Sequence, residues 1–144
     1  MPAATDRPVL GIVNTSAEIC ALLATVFTEA GFRVVTASPL ELKRGAPTPA
    51  DFLTEHRPVA VIYDIAIPYE ENWHFFRGIE ESEAGQQTRF VLTCINKRAL
   101  EGLVGPTPTL ELVGKPYDLD QISAAVRRAL ADDEPPAPAR PYVR

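Results

Sequence analysis

Three side chains of different chemistry stand at the carboxyl ends of three apolar runs. Asp64 is the first charge after Val59-Ala60-Val61-Ile62-Tyr63, Thr93 nearly closes Phe90-Val91-Leu92-Thr93-Cys94, and Lys115 follows Leu110-Glu111-Leu112-Val113-Gly114. A carboxylate, a hydroxyl and an ammonium brought to one edge of a sheet can serve a phosphoryl group. The carboxylate acts as nucleophile or acceptor; the hydroxyl donates to a phosphoryl oxygen and the lysine neutralises charge. A plainer arrangement uses the same groups: Lys115 neutralises a strand-end carboxylate and Thr93 bonds to backbone.

For the three to meet, the runs must be parallel strands joined by crossovers that return the chain in one direction. The pattern supports this. Val9 to Val13 is apolar on both faces, as in a buried strand. Asn14-Thr15-Ser16 has turn and N-cap character, with Asn14 and Thr15 as expected caps and Glu18 placed in the manner of a capping box. Ile19, Leu22, Leu23, Val26 and Phe27 then recur at helical spacing up to Gly31, a residue suited to a helix C-terminus. Phe32 to Thr36 is a second strand. Ser38 to Pro47, punctuated by Pro39, Gly45 and Pro47, is expected to be irregular. Thr48-Pro49 opens a short helix that ends before Pro58. After the Asp64 strand, Trp73, Phe76 and Ile79 mark a helix running to about Gly85, with Glu70 and Glu71 in its first turn, where acids favour the helix dipole. Thr88 to Cys94 is the fourth strand, 97–104 a short helix, Leu110 to Val113 the fifth strand, and Asp118 to Leu130 a final amphipathic helix. Five strands alternating with five helical segments predict an α/β fold, a doubly wound five-stranded parallel sheet with helices on both faces.

Length and composition set the outer bounds. The chain has 144 residues, enough for one domain with a sizeable core. The expected organisation is an N-terminal extension at 1–7, one domain at 8–131, and a proline-rich, disordered tail at 132–144. A net charge of -5 argues against a nucleic-acid partner bound through phosphates. No run approaches the ~20 apolar residues of a membrane span, and the start lacks the pattern of a secretory signal, so the expected location is cytoplasmic. Cys20 and Cys94 lie in apolar contexts without metal-ligand or redox spacing, and Cys94 reads as a small buried filler.

The ordered set of motifs resembles the receiver domain of bacterial two-component response regulators over roughly residues 8 to 130. Val13-Asn14-Thr15-Ser16 stands where receivers carry their first-strand acidic motif. Tyr63-Asp64-Ile65-Ala66-Ile67-Pro68 matches the phosphoacceptor and its loop proline, Thr93-Cys94 the switch hydroxyl and the small residue after it, and Gly114-Lys115-Pro116 the lysine-proline of the last loop. The resemblance implies the flavodoxin-like strand order 2-1-3-4-5, Asp64 as phosphoacceptor, and Thr93 and Lys115 as phosphate-binding and switch residues. It also implies a metal held by Asp64 and the backbone carbonyl of Ala66.

Two departures alter that expectation. The acidic pair that holds Mg²⁺ in receivers is here Asn14 and Thr15, both neutral. Mg²⁺ prefers hard carboxylate oxygens, and one unit-charge pair ~4 Å apart is worth roughly 4 kcal/mol at an effective dielectric of ~20. No cofactor is therefore expected, with Mg²⁺ bound weakly if at all. The second departure is Leu112, three residues before the lysine, where receivers usually carry an aromatic ring that reports the hydroxyl's state. Lys43 and Arg44 add charge in a segment expected on the site edge. Glu70, Glu71 and His74 are not expected to bind metal, and His74 is not expected to relay phosphate.

The expected function is that of an atypical single-domain receiver, not an enzyme, that signals through protein contacts and does not depend on Mg²⁺-supported phosphorylation. The first alternative is a phosphoacceptor charged on Asp64 by a histidine kinase. The second is a small-molecule sensor using the strand-end crevice, which lacks a glycine-rich phosphate loop. The implied partner is a histidine kinase or a downstream signalling protein, with a homodimer also open. It would dock on the face formed by the fourth and fifth helices with the fifth strand (α4-β5-α5 in the receiver scheme), which carries Lys97, Arg98, Arg127 and Arg128.

Overall fold

The structure is a computed structural model that describes residues 7–104 and 118–131, and the backbone of 110–114. In chain order the elements are β1 (Val9–Val13), α1 (Ala17–Glu29), β2 (Arg33–Ala37), α2 (Pro39–Arg44), α3 (Pro49–His56), β3 (Ala60–Asp64), α4 (Tyr69–Glu81), α5 (Glu83–Gln86), β4 (Arg89–Cys94), α6 (Lys97–Val104), β5 (Leu110–Gly114) and α7 (Leu119–Ala131). The strands form one parallel sheet in the order β2-β1-β3-β4-β5, the order that the resemblance implies. The expected tail at 132–144 and most of the 1–7 extension lie outside the described residues, as do Lys115 and the side chain of Leu112.

The central strands β1, β3 and β4 are apolar and buried on both faces, and each face of the sheet has its own core. Val61, Tyr63, Phe90 and Leu92 point to one side, where Leu42, Phe52, Trp73, Phe76 and Leu100 from α2, α3, α4 and α6 cover them. Leu10, Ile12, Ala60, Ile62 and Val91 point to the other, against Leu23 and Phe27 of α1 and Ile122 and Val126 of α7. Each such side chain taken from water contributes about 1.5–3 kcal/mol. That stripe spacing on α4 buries Trp73, Phe76 and Ile79, as the sequence pattern predicts.

Four local expectations are corrected. Ser38 to Pro47 is not irregular, because Pro39–Arg44 forms α2. Pro39 occupies the first turn, where its missing N–H costs nothing. Ser38 and Glu41 close a capping box, and Gly45 ends the helix at φ 77, the left-handed conformation that glycine adopts without strain. Asn14 and Thr15 do not cap α1; Ser16 does, its hydroxyl accepting from Ile19 N. The third helical position is thus Ile19 and not Glu18, so Glu18 lies in the first turn outside any capping box. Finally, the helix expected to run to Gly85 breaks at Ser82, which both ends α4 and caps α5. The backbone packs tightly there: a Cβ on Gly85 would lie 1.9 Å from the Ile79 carbonyl oxygen. The described helices therefore number seven where five were expected.

Candidate functional site

Parallel pairing puts the carboxyl ends of β1, β3 and β4 at one edge of the sheet. Asp64 and Thr93 are direct partners in the β3–β4 register. Their side chains join as well: Thr93 Oγ1 donates to Asp64 Oδ1 at 2.6 Å. Both are buried, Thr93 at 0% and Asp64 at 6% exposure. A hydrogen bond to an ionised acceptor at this length is of the strong, charge-assisted kind. The chain then leaves β3 with Ile65 N bonded to Thr93 O at 2.8 Å, so the two strand ends stay paired past the last rung.

Asn14 enters the same edge from β1 and is also buried. Its backbone N donates to Ala37 O at 3.1 Å, which ties β1 to the end of β2. Its side-chain Oδ1 accepts from Ser16 N at 2.8 Å, so the amide is turned onto its own backbone. Thr15 is exposed. Cys20 on α1 donates its thiol to Asn14 O at 3.7 Å. Burial pushes the Cys20 thiol up, the bond to Asn14 opposes this, and the negative charge of Asp64 adds to the rise. Burial also pushes the Tyr63 phenol up, again assisted by Asp64. Cys20 and Tyr63 are thereby kept protonated beside the carboxylate, and neither is a thiolate or phenolate nucleophile.

The loop after Asp64 is held from two sides that sequence reasoning missed. Asn72, in the first turns of α4, donates through Nδ2 to the Ala66 carbonyl at 2.9 Å. The Tyr69 hydroxyl accepts from Asn96 N at 2.8 Å, which joins the β3–α4 loop region to the one after β4. The available signal was modest: a short amide and a phenol in the turn that follows Pro68. The Ile67–Pro68 peptide is cis. Ile67 and Ile95 stand on these two loops with 67% and 61% exposure, giving the edge an apolar rim.

The described donor set is poor in ligands for Mg²⁺. Among the described residues no cluster of three or more His, Cys, Asp or Glu side chains could hold a metal. Asp64 brings the one carboxylate among the site residues described, the Asn14 oxygen is already an acceptor, and the Ala66 carbonyl is engaged by Asn72. These described residues, with one carboxylate among them, fit a hard dication poorly. Lys115, the expected ammonium, lies outside the described residues. Glu70 and Glu71 lie in the first turn of α4 as expected, exposed to solvent, and His74 is exposed on the same helix. Cys94 is fully buried. Lys97 and Arg98 on α6, with Arg127 and Arg128 on α7, are exposed. No described helix is long and apolar enough to cross a membrane.

No family model and no curated protein matches the chain. Solved structures do. The chemotaxis protein CheY4 of Vibrio cholerae is 18% identical, with 85% of this chain and 98% of that one covered at a TM-score of 0.65. A response regulator from Thermotoga maritima is 19% identical, covering 88% and 99% at 0.66. A response regulator receiver protein from Sinorhizobium medicae is also 19% identical, covering 90% and 99% at 0.69. At these identities the likeness shows the fold.

Proposed function

From the receiver fold as premise, we propose that this chain is an atypical receiver that signals through protein–protein contacts and does not depend on Mg²⁺-supported phosphorylation of Asp64. The observation that carries the reading is the state of the Asn14 side chain. Where a receiver directs acids at the phosphoacceptor, this chain has an amide folded onto Ser16 N. Without a dication, phosphoryl transfer to a carboxylate loses its main means of offsetting the charge that accumulates. What remains is a rigid strand-end edge with an apolar rim, suited to contact with another protein, and basic residues on α6 and α7 for a partner face.

The second reading is a working phosphoacceptor, charged on Asp64 by a histidine kinase. One observation favours it: a hydroxyl donor already lies 2.6 Å from the acceptor carboxylate. Incubation with acetyl phosphate or phosphoramidate, with and without Mg²⁺, followed by intact mass, separates the two. The first reading expects no phosphoryl adduct. An Mg²⁺-dependent adduct abolished by Asp64→Ala would overturn it. A small molecule in the strand-end crevice, the least favoured role, would reveal itself as a ligand-induced rise in melting temperature.

A further inference from the structure

The short helix that opens at Pro39, α2, is tied to the loop after Asp64 by a chain of two hydrogen bonds. Lys43 Nζ donates to Asn72 Oδ1, and Asn72 Nδ2 donates to the Ala66 carbonyl at 2.9 Å. The Lys43 ammonium also lies 5.6 Å from the centroid of the Phe75 ring, within the range at which a cation is attracted to a ring face. α2 is thus joined to the first turns of α4 and, through them, to the adjoining site loop, 29 positions separating Lys43 from Asn72.

The carbonyl at the end of this chain is the one that the receiver resemblance assigns to a metal. A divalent ion there would do two things: bring positive charge to the strand-end edge and fix the loop by taking its carbonyl. The Lys43–Asn72 pair supplies the second from the polypeptide, the amide holding the carbonyl and the ammonium holding the amide. We infer that Lys43, acting through Asn72 on Ala66, is a built-in cationic strap that takes the place of a divalent metal, so that the loop 65–68 is held without an ion. The inference rests on the receiver-site reading of Asp64 and specifies how that site is kept in shape. Lys43 is exposed and solvated, so its effect is that of a surface interaction, about two- to fivefold in the loop's opening equilibrium.

Amide hydrogen exchange on the full chain, with no phosphodonor present, tests this. Lys43→Met should raise exchange over Ile65–Tyr69 and Pro39–Arg44 by about two- to fivefold while α7 stays unchanged. Lys43→Arg, which retains the charge and donors, should restore protection. Asn72→Asp keeps the acceptor for Lys43 but loses the donor to Ala66; α2 should stay protected while the loop exchanges faster. Wild-type exchange at Ile65–Tyr69 should not respond to about 10 mM Mg²⁺. Unchanged loop exchange in Lys43→Met would overturn the inference, as would wild-type protection that rises with Mg²⁺. An Asp64 adduct in the acetyl phosphate assay would count against the proposed function without altering this exchange pattern, so the two fail separately.

Discussion

Replacing Thr93 with valine removes one buried donor and leaves the shape of the side chain nearly intact. The lost bond is the 2.6 Å contact from Thr93 Oγ1 to Asp64 Oδ1, between groups almost closed to water. Hydrogen bonds to charged groups contribute about 1.5–3 kcal/mol, and a buried acceptor left short of a partner costs about as much. Asp64 has a further interaction in the fold, and a loss of about 2 kcal/mol, within that range, is expected. For a domain of this size that corresponds to a fall in melting temperature of about 6–10 °C. Urea denaturation should show a lower midpoint at an unchanged slope, since no surface is newly exposed. Thr93→Ser keeps the donor and should lose only about 1 kcal/mol, the share of one buried methyl. The decisive measurement is a double-mutant cycle with Asp64→Ala, expected to give a coupling of about 1.5 kcal/mol. A coupling below about 0.5 kcal/mol would refute the reasoning, because the hydroxyl would then be satisfied independently of the carboxylate.

Burial pushes Glu80 up to about 7, with Arg77 opposing the shift and Glu81 adding to it. A raised carboxyl leaves stability intact below its unfolded range and withdraws it as pH climbs through the folded value. Glu80→Gln should therefore match the wild type near the ordinary carboxyl value of 4.5 and exceed it at alkaline pH by on the order of 1–2 kcal/mol, after allowance for partial solvent exposure. Denaturation at the two pH values checks this, and an equal difference at both would contradict it. Gly85→Ala would drive a Cβ into the Ile79 carbonyl oxygen, so a loss of about 3 kcal/mol is expected in a thermal melt. Should Asp64 accept a phosphoryl group in vitro, hydrolysis should be slow, because Ala66 and Ile95 beside it offer no polar side chain to position water. A half-life on the order of seconds, measured by loss of the mass adduct, would contradict that.

The central strands were readable because β1, β3 and β4 are apolar on both faces and end in a charge or a turn; Asp64 closes Ala60–Asp64 at the position where the sequence first turns polar. That Asp64 and Thr93 share one edge followed from topology, since parallel strands in that order bring their ends together; their direct hydrogen bond did not, because the plainer reading bonded Thr93 to backbone. The missed elements have local causes. By residue type Pro39 and Gly45 read as breakers, yet they serve as the start and the end of a helix too short to show a periodic stripe. Asn14, a good cap by residue type, lost that role to Ser16 because its amide reaches Ser16 N first. The link from Lys43 to Asn72 spans 29 positions and follows no repeating pattern. Such a contact arises only when two elements pack, so nothing along the sequence could have announced it.

The division of the interior into two cores has a spectroscopic consequence. Trp73, the chain's single tryptophan, lies in the core that also holds Phe76, Phe90 and Tyr63, stacked on Phe76 at a centroid separation of 5.6 Å. The opposite core, built on Leu10, Ile12, Leu23 and Ile122, contains Phe27 but neither tryptophan nor tyrosine among its buried residues. Tryptophan emission therefore watches one side of the sheet and does not directly report the packing of α1 and α7 on the other. Helical circular dichroism draws on both sides. Coincident melts by the two probes would mean that the sheet couples its faces into a single cooperative unit, whereas a gap between them would give each face its own stability.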